Sequence, residues 1–120
     1  MSTKEQRNEP RWDLTCRLAV VDSDSGGFLG YITNAGYKGM AMTGKIPVAP
    51  EQRISIGIEI PSSAAGAASE QLTVQVHSVW CKSLREPGSY MTGLHIFLMS
   101  PDCQQKYRDI IAQLGQPESD

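Results

Sequence analysis

Arg7 and Arg11 stand four residues apart in the polar N-terminal segment Arg7-Asn8-Glu9-Pro10-Arg11. Pro10 biases Glu9 away from helical angles, so the segment is expected to be extended. Extended chain rises about 3.3 Å per residue, which puts the two Cα atoms roughly 13 Å apart. Two guanidinium forks at that separation suit opposite parts of one planar, phosphate-bearing ligand. Guanidinium bonds phosphate and the O6/N7 edge of guanine in bidentate fashion, and it stacks on aromatic faces. Read alone, the pair is better explained as solvated decoration of a polar tail. The second candidate is Asn34-Ala35-Gly36-Tyr37-Lys38-Gly39. Its Asn and Gly residues predict a tight turn with positive φ angles. In a functional role, such a turn sets backbone N–H groups and one amide beside a ligand.

Other chemistry is not supported. His77 and His95 fall in different segments without a neighbouring Cys, Asp or Glu pattern, so no metal site is expected. No Ser/His/Asp or Cys/His spacing suggests a nucleophile, and no catalytic residue is assigned. Glu5 with Glu9, and Asp22 with Asp24, read as solvated polar segments. The cysteines, Cys16, Cys81 and Cys103, are odd in number and far apart, which argues against a disulfide framework or a CxxC site. They are expected to be free, mostly buried thiols in a reducing cytosol. The formal net charge of −2 argues against a broad nucleic-acid surface but leaves room for a small anion site. The first ten residues carry no apolar signal-peptide core, and no run approaches about 18 apolar residues. The expectation is a cytoplasmic protein without membrane insertion.

The elements that must position these residues follow from periodicity. A chain of 120 residues is one domain's worth. Residues 1–12 read as a flexible arm, 13–115 as the folded domain and 116–120 as a tail. Leu14, Cys16, Leu18 and Val20 alternate with polar or small neighbours, as in a half-buried strand. Asp22-Ser23-Asp24-Ser25-Gly26-Gly27 is a turn cluster, and Phe28 to Thr33 is the return strand. A short strand is expected near Met40-Ala41-Met42. Ile54, Ile56, Ile58 and Ile60 make the clearest alternating strand, ended by Pro61. Ser62 to Ser69 reads as a flexible connection. Leu72, Val74 and Val76 alternate, and then the phase slips near His77-Ser78, which predicts a β-bulge. Trp80 is expected in the core. Glu86-Pro87-Gly88-Ser89 is a turn, and Tyr90 to Met99 is the last strand, with Leu94, Ile96 and Leu98 on one face. Ser100-Pro101-Asp102 starts a helix: a Ser cap, Pro at the first position and an acid in the first turn. Tyr107, Ile110, Ile111 and Leu114 form one apolar stripe along it. The whole is an all-β domain, an antiparallel barrel or curled sheet with one C-terminal helix over an end or open flank.

Taken in order, these pieces resemble the PilZ domain family. An RxxxR motif sits on the N-terminal arm at Arg7 and Arg11, and a D/N-x-S-x-x-G motif follows the first hairpin at Asn34, Gly36 and Gly39. The strand ending Val79-Trp80 and the strand Gly93-Leu94-His95-Ile96-Phe97 look like the family's later strands, the second with one extra residue. The resemblance runs from Arg7 to Leu114. It implies a six-stranded antiparallel β-barrel with a C-terminal α-helix that binds cyclic di-GMP and catalyses nothing. It needs no cofactor beyond that ligand. It also implies that Arg7 and Arg11 hold guanine edges and phosphates, that Asn34 contacts a guanine, and that Gly39 shapes the turn. Ligand binding would order the arm and create a surface for a downstream protein partner. Gly36 departs from the family, which usually has Ser there. The lost hydroxyl bond is worth about 0.5–1.5 kcal/mol. Gln6 stands where a basic residue often precedes RxxxR. These departures leave a second reading open: an adaptor acting through protein contacts alone, as in motility or pilus machinery.

Overall fold

The computed structural model describes residues 11–60 and 70–117. The expectations for the arm before Arg11, the 61–69 connection and residues 118–120 fall outside it. The strands are β1 (Trp12–Asp22), β2 (Phe28–Ala35), β3 (Gly39–Gly44), β4 (Arg53–Ile60), β5 (Glu70–Ser83) and β6 (Tyr90–Leu98). Helix α1 (Pro101–Leu114) and a short strand β7 (Gly115–Pro117) follow. Neighbouring strands run antiparallel in the order β2-β3-β6-β5-β4-β1-β7, and β1 also pairs with β2. That second pairing closes the six long strands into a barrel. Strand β7 is an addition, and it begins at the residue that ends the helix. It pairs Gly115 with Leu14, Gln116 with Asp13 and Pro117 with Trp12. Trp12 and residues 116–117, expected in arm and tail, are therefore part of the sheet.

The alternation of β4 follows from burying one face of a pleated strand. Ile56 and Ile58 are fully inside, and Ile54 and Ile60 pack on the same core. Leu72, Val74 and Val76 of β5 face them across the pairs Ile58↔Leu72, Ile56↔Val74 and Ile54↔Val76. The expected bulge on β5 is present: Ser78 pairs with Leu94 and Trp80 with Gly93, which leaves Val79 as the extra residue. The slip turns Trp80 outward. Its indole lies over the Gly93 backbone, where an added Cβ would come within 2.4 Å of the ring. Trp80 is thus 41% exposed rather than in the core, because only glycine leaves an indole room to lie flat there.

Two further irregularities correct the sequence reading. On β1, Asp13 pairs with Asn34 and Leu18 with Ile32, so residues 14–17 face Thr33 alone. The phase breaks there, and Cys16 is exposed while Cys81 and Cys103 are half-buried; all three are free. The thiols are therefore not mostly buried. On β6, Ile96 pairs with Val76 and Leu98 with Gln75, which skips Phe97. That extra residue places Leu98 outside with Gln75, away from the Leu94 face.

Helix α1 begins where expected. The Ser100 hydroxyl accepts from the Cys103 amide at 3.2 Å, and Pro101 opens the helix. Tyr107, Ile110 and Ile111 are buried in the common core, with Leu114 against it. Gly115 ends the helix in extended geometry, φ −80°. Glycine is required there for space: an added Cβ would meet the Ile111 carbonyl oxygen at 2.5 Å and Trp12 at 2.9 Å.

Candidate functional site

Arg11 and Asn34 lie 23 residues apart in sequence, and the β1–β2 pairing brings them together. Arg11 Nη1 donates to Asn34 Oδ1 at 3.1 Å. Asn34 Nδ2 donates to Asp13 Oδ1 at 3.2 Å. The carboxylate and the guanidinium hold opposite ends of the amide, which fixes its orientation. Asp13 was not singled out from sequence. The signal available was its place two residues after Arg11, on the same side of an extended strand.

Gly39 completes this cluster. A Cβ there would sit 2.9 Å from the Leu94 carbonyl oxygen and 3.5 Å from Arg11 Nη2. The Leu94 carbonyl leaves no room for a Cβ there, and the Arg11 guanidinium lies beside the bare backbone. Sequence reading assigned positive φ angles to this segment. Among the described residues, only Glu51, Gly26 and Gly88 have them. Asn34, Gly36 and Gly39 are therefore not left-handed turn residues: Asn34 is the last residue but one of β2, Gly39 starts β3, and glycine at position 39 serves the close approach of the Leu94 carbonyl.

Gly36 faces another way. It is buried, its amide donates to the Gly39 carbonyl at 2.7 Å, and its own carbonyl accepts the Tyr107 hydroxyl at 2.7 Å. The same hydroxyl lies 3.4 Å from the Gly39 carbonyl. Helix α1 thus holds the 36–39 turn from inside while Arg11 lies over it from outside. Burial pushes the Tyr107 phenol far up, an effect the nearby Arg11 charge partly offsets. The hydroxyl therefore stays protonated and donates.

An aromatic group extends the site. The Trp12 and Tyr37 rings are 5.0 Å apart, tilted by 50°. Arg108 of α1 places its Cζ 5.0 Å from the Tyr37 centroid. Beside them a groove of about 390 Å³ runs between the turn, the end of β6 and the helix, lined among others by Lys38, His95, Phe97 and Arg108. Among the described residues, its lining includes no carboxylate. Sequence reading missed this part, since Arg108 belongs to the exposed side of a helix valued only for its apolar stripe. Arg7 lies outside the described residues. Among those described, no group of three His, Cys, Asp or Glu side chains could hold a metal. No helix among them is long and apolar enough to cross a membrane.

No protein-family model matches the sequence, and no curated protein does. Solved structures do. The PilZ domain of YcgR from Escherichia coli, solved with c-di-GMP, superposes with a TM-score of 0.68 over 91% of each chain at 10% identity. This chain has the PilZ fold. The Bacillus subtilis inhibitor of motility, MotI/DgrA, superposes with a TM-score of 0.66 at 14% identity. That match covers 89% of this chain and 50% of the other, so the chain spans half the length of MotI/DgrA. At such identities the likeness is one of fold. The PilZ barrel here carries the Arg11–Asn34–Asp13 chain of hydrogen bonds on its outer wall, beside the Tyr37 groove.

Proposed function

We propose that this PilZ domain is a receptor module for cyclic di-GMP, a binding protein and not an enzyme. The observation that carries the reading is the convergence of Arg11, Asn34 and Gly39, with the guanidinium bonded to the amide and lying over the glycine. The solved PilZ domain of YcgR, with c-di-GMP, supports it as a domain of the same fold. In this reading Arg7 and Arg11 bind guanine edges and phosphates. Arginine is suited to both because its fork is planar and permanently charged. Asn34 offers its amide to a guanine edge, and Asp13 holds that amide in place. Gly36 and Gly39 shape the backbone beneath. Ligand would draw the residues ahead of Arg11 onto the barrel and create a surface for a downstream protein in the cytoplasm. The likeness in fold to an inhibitor of motility makes the motility apparatus the first place to seek that partner.

Titration calorimetry with cyclic di-GMP tests the reading. Saturable binding at micromolar affinity is expected. Absence of heat at about 100 μM ligand, where a site worth roughly −8 kcal/mol would be nearly saturated, overturns it. A second reading has its own observation. Gly36 is buried and its carbonyl is given to Tyr107, so this position serves packing and not a hydroxyl contact with ligand. That favours an adaptor working through protein contacts alone. The parent titration separates the two: saturable nucleotide binding supports the receptor, and absence of binding supports the adaptor.

A further inference from the structure

Both histidines of the chain fall on one outward row that sequence does not reveal. Arg53 of β4 pairs with His77 of β5, His77 pairs with His95 of β6, and His95 pairs with Gly39 of β3. Residues paired across antiparallel strands point to the same face, with Cβ atoms about 4.5–5.5 Å apart. That face is the outer one, since the neighbours Ile54, Val76, Leu94 and Met40 belong to the core. Strands are spaced about 4.8 Å apart, so the row spans roughly 14 Å from Gly39 to Arg53. Arg11 lies over its Gly39 end. At the other end, the Arg53 guanidinium stands 4.2 Å from the centre of the Phe97 ring. Lys38 and Arg108 border the groove that takes in His95 and Phe97. A chain of net charge −2 has gathered cations on one wall. Among the described residues, the carboxylates nearest in sequence to these cations are Glu51, in the turn before Arg53, Asp109, beside Arg108, and Asp13 at the Arg11 end, which holds the Asn34 amide.

We infer that His95, His77 and Arg53 form a phosphate-binding row that extends the Arg11 site across the barrel wall. Arg53 supplies a permanent charge that Phe97 holds in place. The imidazoles supply N–H donors, two each when protonated. An oxyanion laid over the row meets the Arg53 guanidinium at one end and imidazole N–H groups along it. If the anion is cyclic di-GMP, the inference rests on the receptor reading. A phosphate from another molecule would need no such reading.

Two measurements decide the matter. Inorganic sulfate keeps its charge between pH 5 and 8, so it probes the row without titrating itself. In NMR spectra of the full chain at pH 6, sulfate should shift the ring signals of His77 and His95 together and saturably. Arg53→Gln should weaken that binding about tenfold. Ring signals that stay unmoved at millimolar sulfate overturn the inference. Cyclic di-GMP calorimetry identifies the source. Affinity about tenfold lower in the His77→Gln/His95→Gln double variant assigns the row to the dinucleotide. Ring shifts with sulfate alongside dinucleotide binding that the double variant leaves unchanged support the row but assign it to another phosphate. If the parent binds no dinucleotide at all, the receptor reading falls, and the sulfate result still decides the row.

Discussion

Replacing Tyr107 by Phe removes one oxygen atom and tests how the helix shapes the ligand turn. The hydroxyl donates to Gly36 at 2.7 Å and lies 3.4 Å from the Gly39 carbonyl. The ring fills the same space in either residue, so no cavity term enters. The Gly39 carbonyl keeps the Gly36 amide as donor, while the Gly36 carbonyl loses its 2.7 Å partner. Leaving a buried carbonyl without its donor costs about 1–3 kcal/mol. Unfolding entropy of about 2.1 cal/mol/K per residue gives roughly 250 cal/mol/K for a chain of this length, so Tm should fall by about 4–12 °C. The sign with pH is set by the raised phenol. Its contribution is fully present below the ordinary phenol value of about 10 and is lost only as pH rises through the higher folded value. The deficit of the Phe variant should therefore be the same at pH 6 and pH 8. Thermal melts followed by circular dichroism measure it. Cyclic di-GMP titration should show weakened binding as well, because the turn is no longer held beneath Arg11. A Phe variant that melts within a degree of the parent and binds as well would refute the idea that α1 holds the turn through this bond.

Arg11→Ala should lower cyclic di-GMP affinity by about tenfold or more while shifting stability by less than about 0.5 kcal/mol, since charge-assisted bonds are worth about 1.5–3 kcal/mol and Arg11 lies at the barrel's outer wall. Arg11→Lys should recover only part of the binding, for want of a planar fork; titration calorimetry with melts as control checks both. Gly93→Ala should displace the Trp80 indole, which an added Cβ would approach to 2.4 Å. About 1–3 kcal/mol of stability should be lost, Trp fluorescence should change, and Trp80→Ala in the same chain should recover much of the loss. Ser78→Ala should cost about 1–3 kcal/mol in urea unfolding. Its Oγ donates to the Ala49 carbonyl at 2.7 Å and accepts the Gln52 amide at 2.9 Å, fastening the loop ahead of β4.

Local pattern was enough wherever a residue's role depends on its neighbours in the chain. The isoleucines of β4 report their own buried face through alternation alone. The Ser100-Pro101-Asp102 start and the Tyr107, Ile110, Ile111 stripe define α1 without reference to what it covers. The turns at Asp22–Gly27 and Glu86–Ser89 are written in short side chains and in glycines that adopt φ +78° and +77°. Asp22 Oδ1 caps the first of them by accepting from the Asp24 and Ser25 amides. The β5 bulge shows as a slip of phase.

Pairing register lies beyond local pattern, because hydrogen bonds between strands join residues whose separation in sequence carries no period. Only closure of β1 onto β2 sets Arg11 against Asn34. Only the β4–β5–β6–β3 pairing puts Arg53, His77, His95 and Gly39 in one row. Cys16, Leu98 and Trp80 turned outward because an extra residue in one strand reverses every side chain after it. Gly39 reads in sequence as a turn residue and Gly93 as one residue of a strand. In the barrel a Cβ at position 39 would meet the Leu94 carbonyl and one at position 93 the Trp80 indole, and those needs arise only once the neighbouring strand has arrived. Composition, alternation and capping thus determined an antiparallel barrel or curled sheet with one C-terminal helix, and the resemblance to PilZ domains picked out the arginines, the Asn and the glycines. The assembled strands decided which of these residues meet, since contact at a distance along the chain is a property of register and closure.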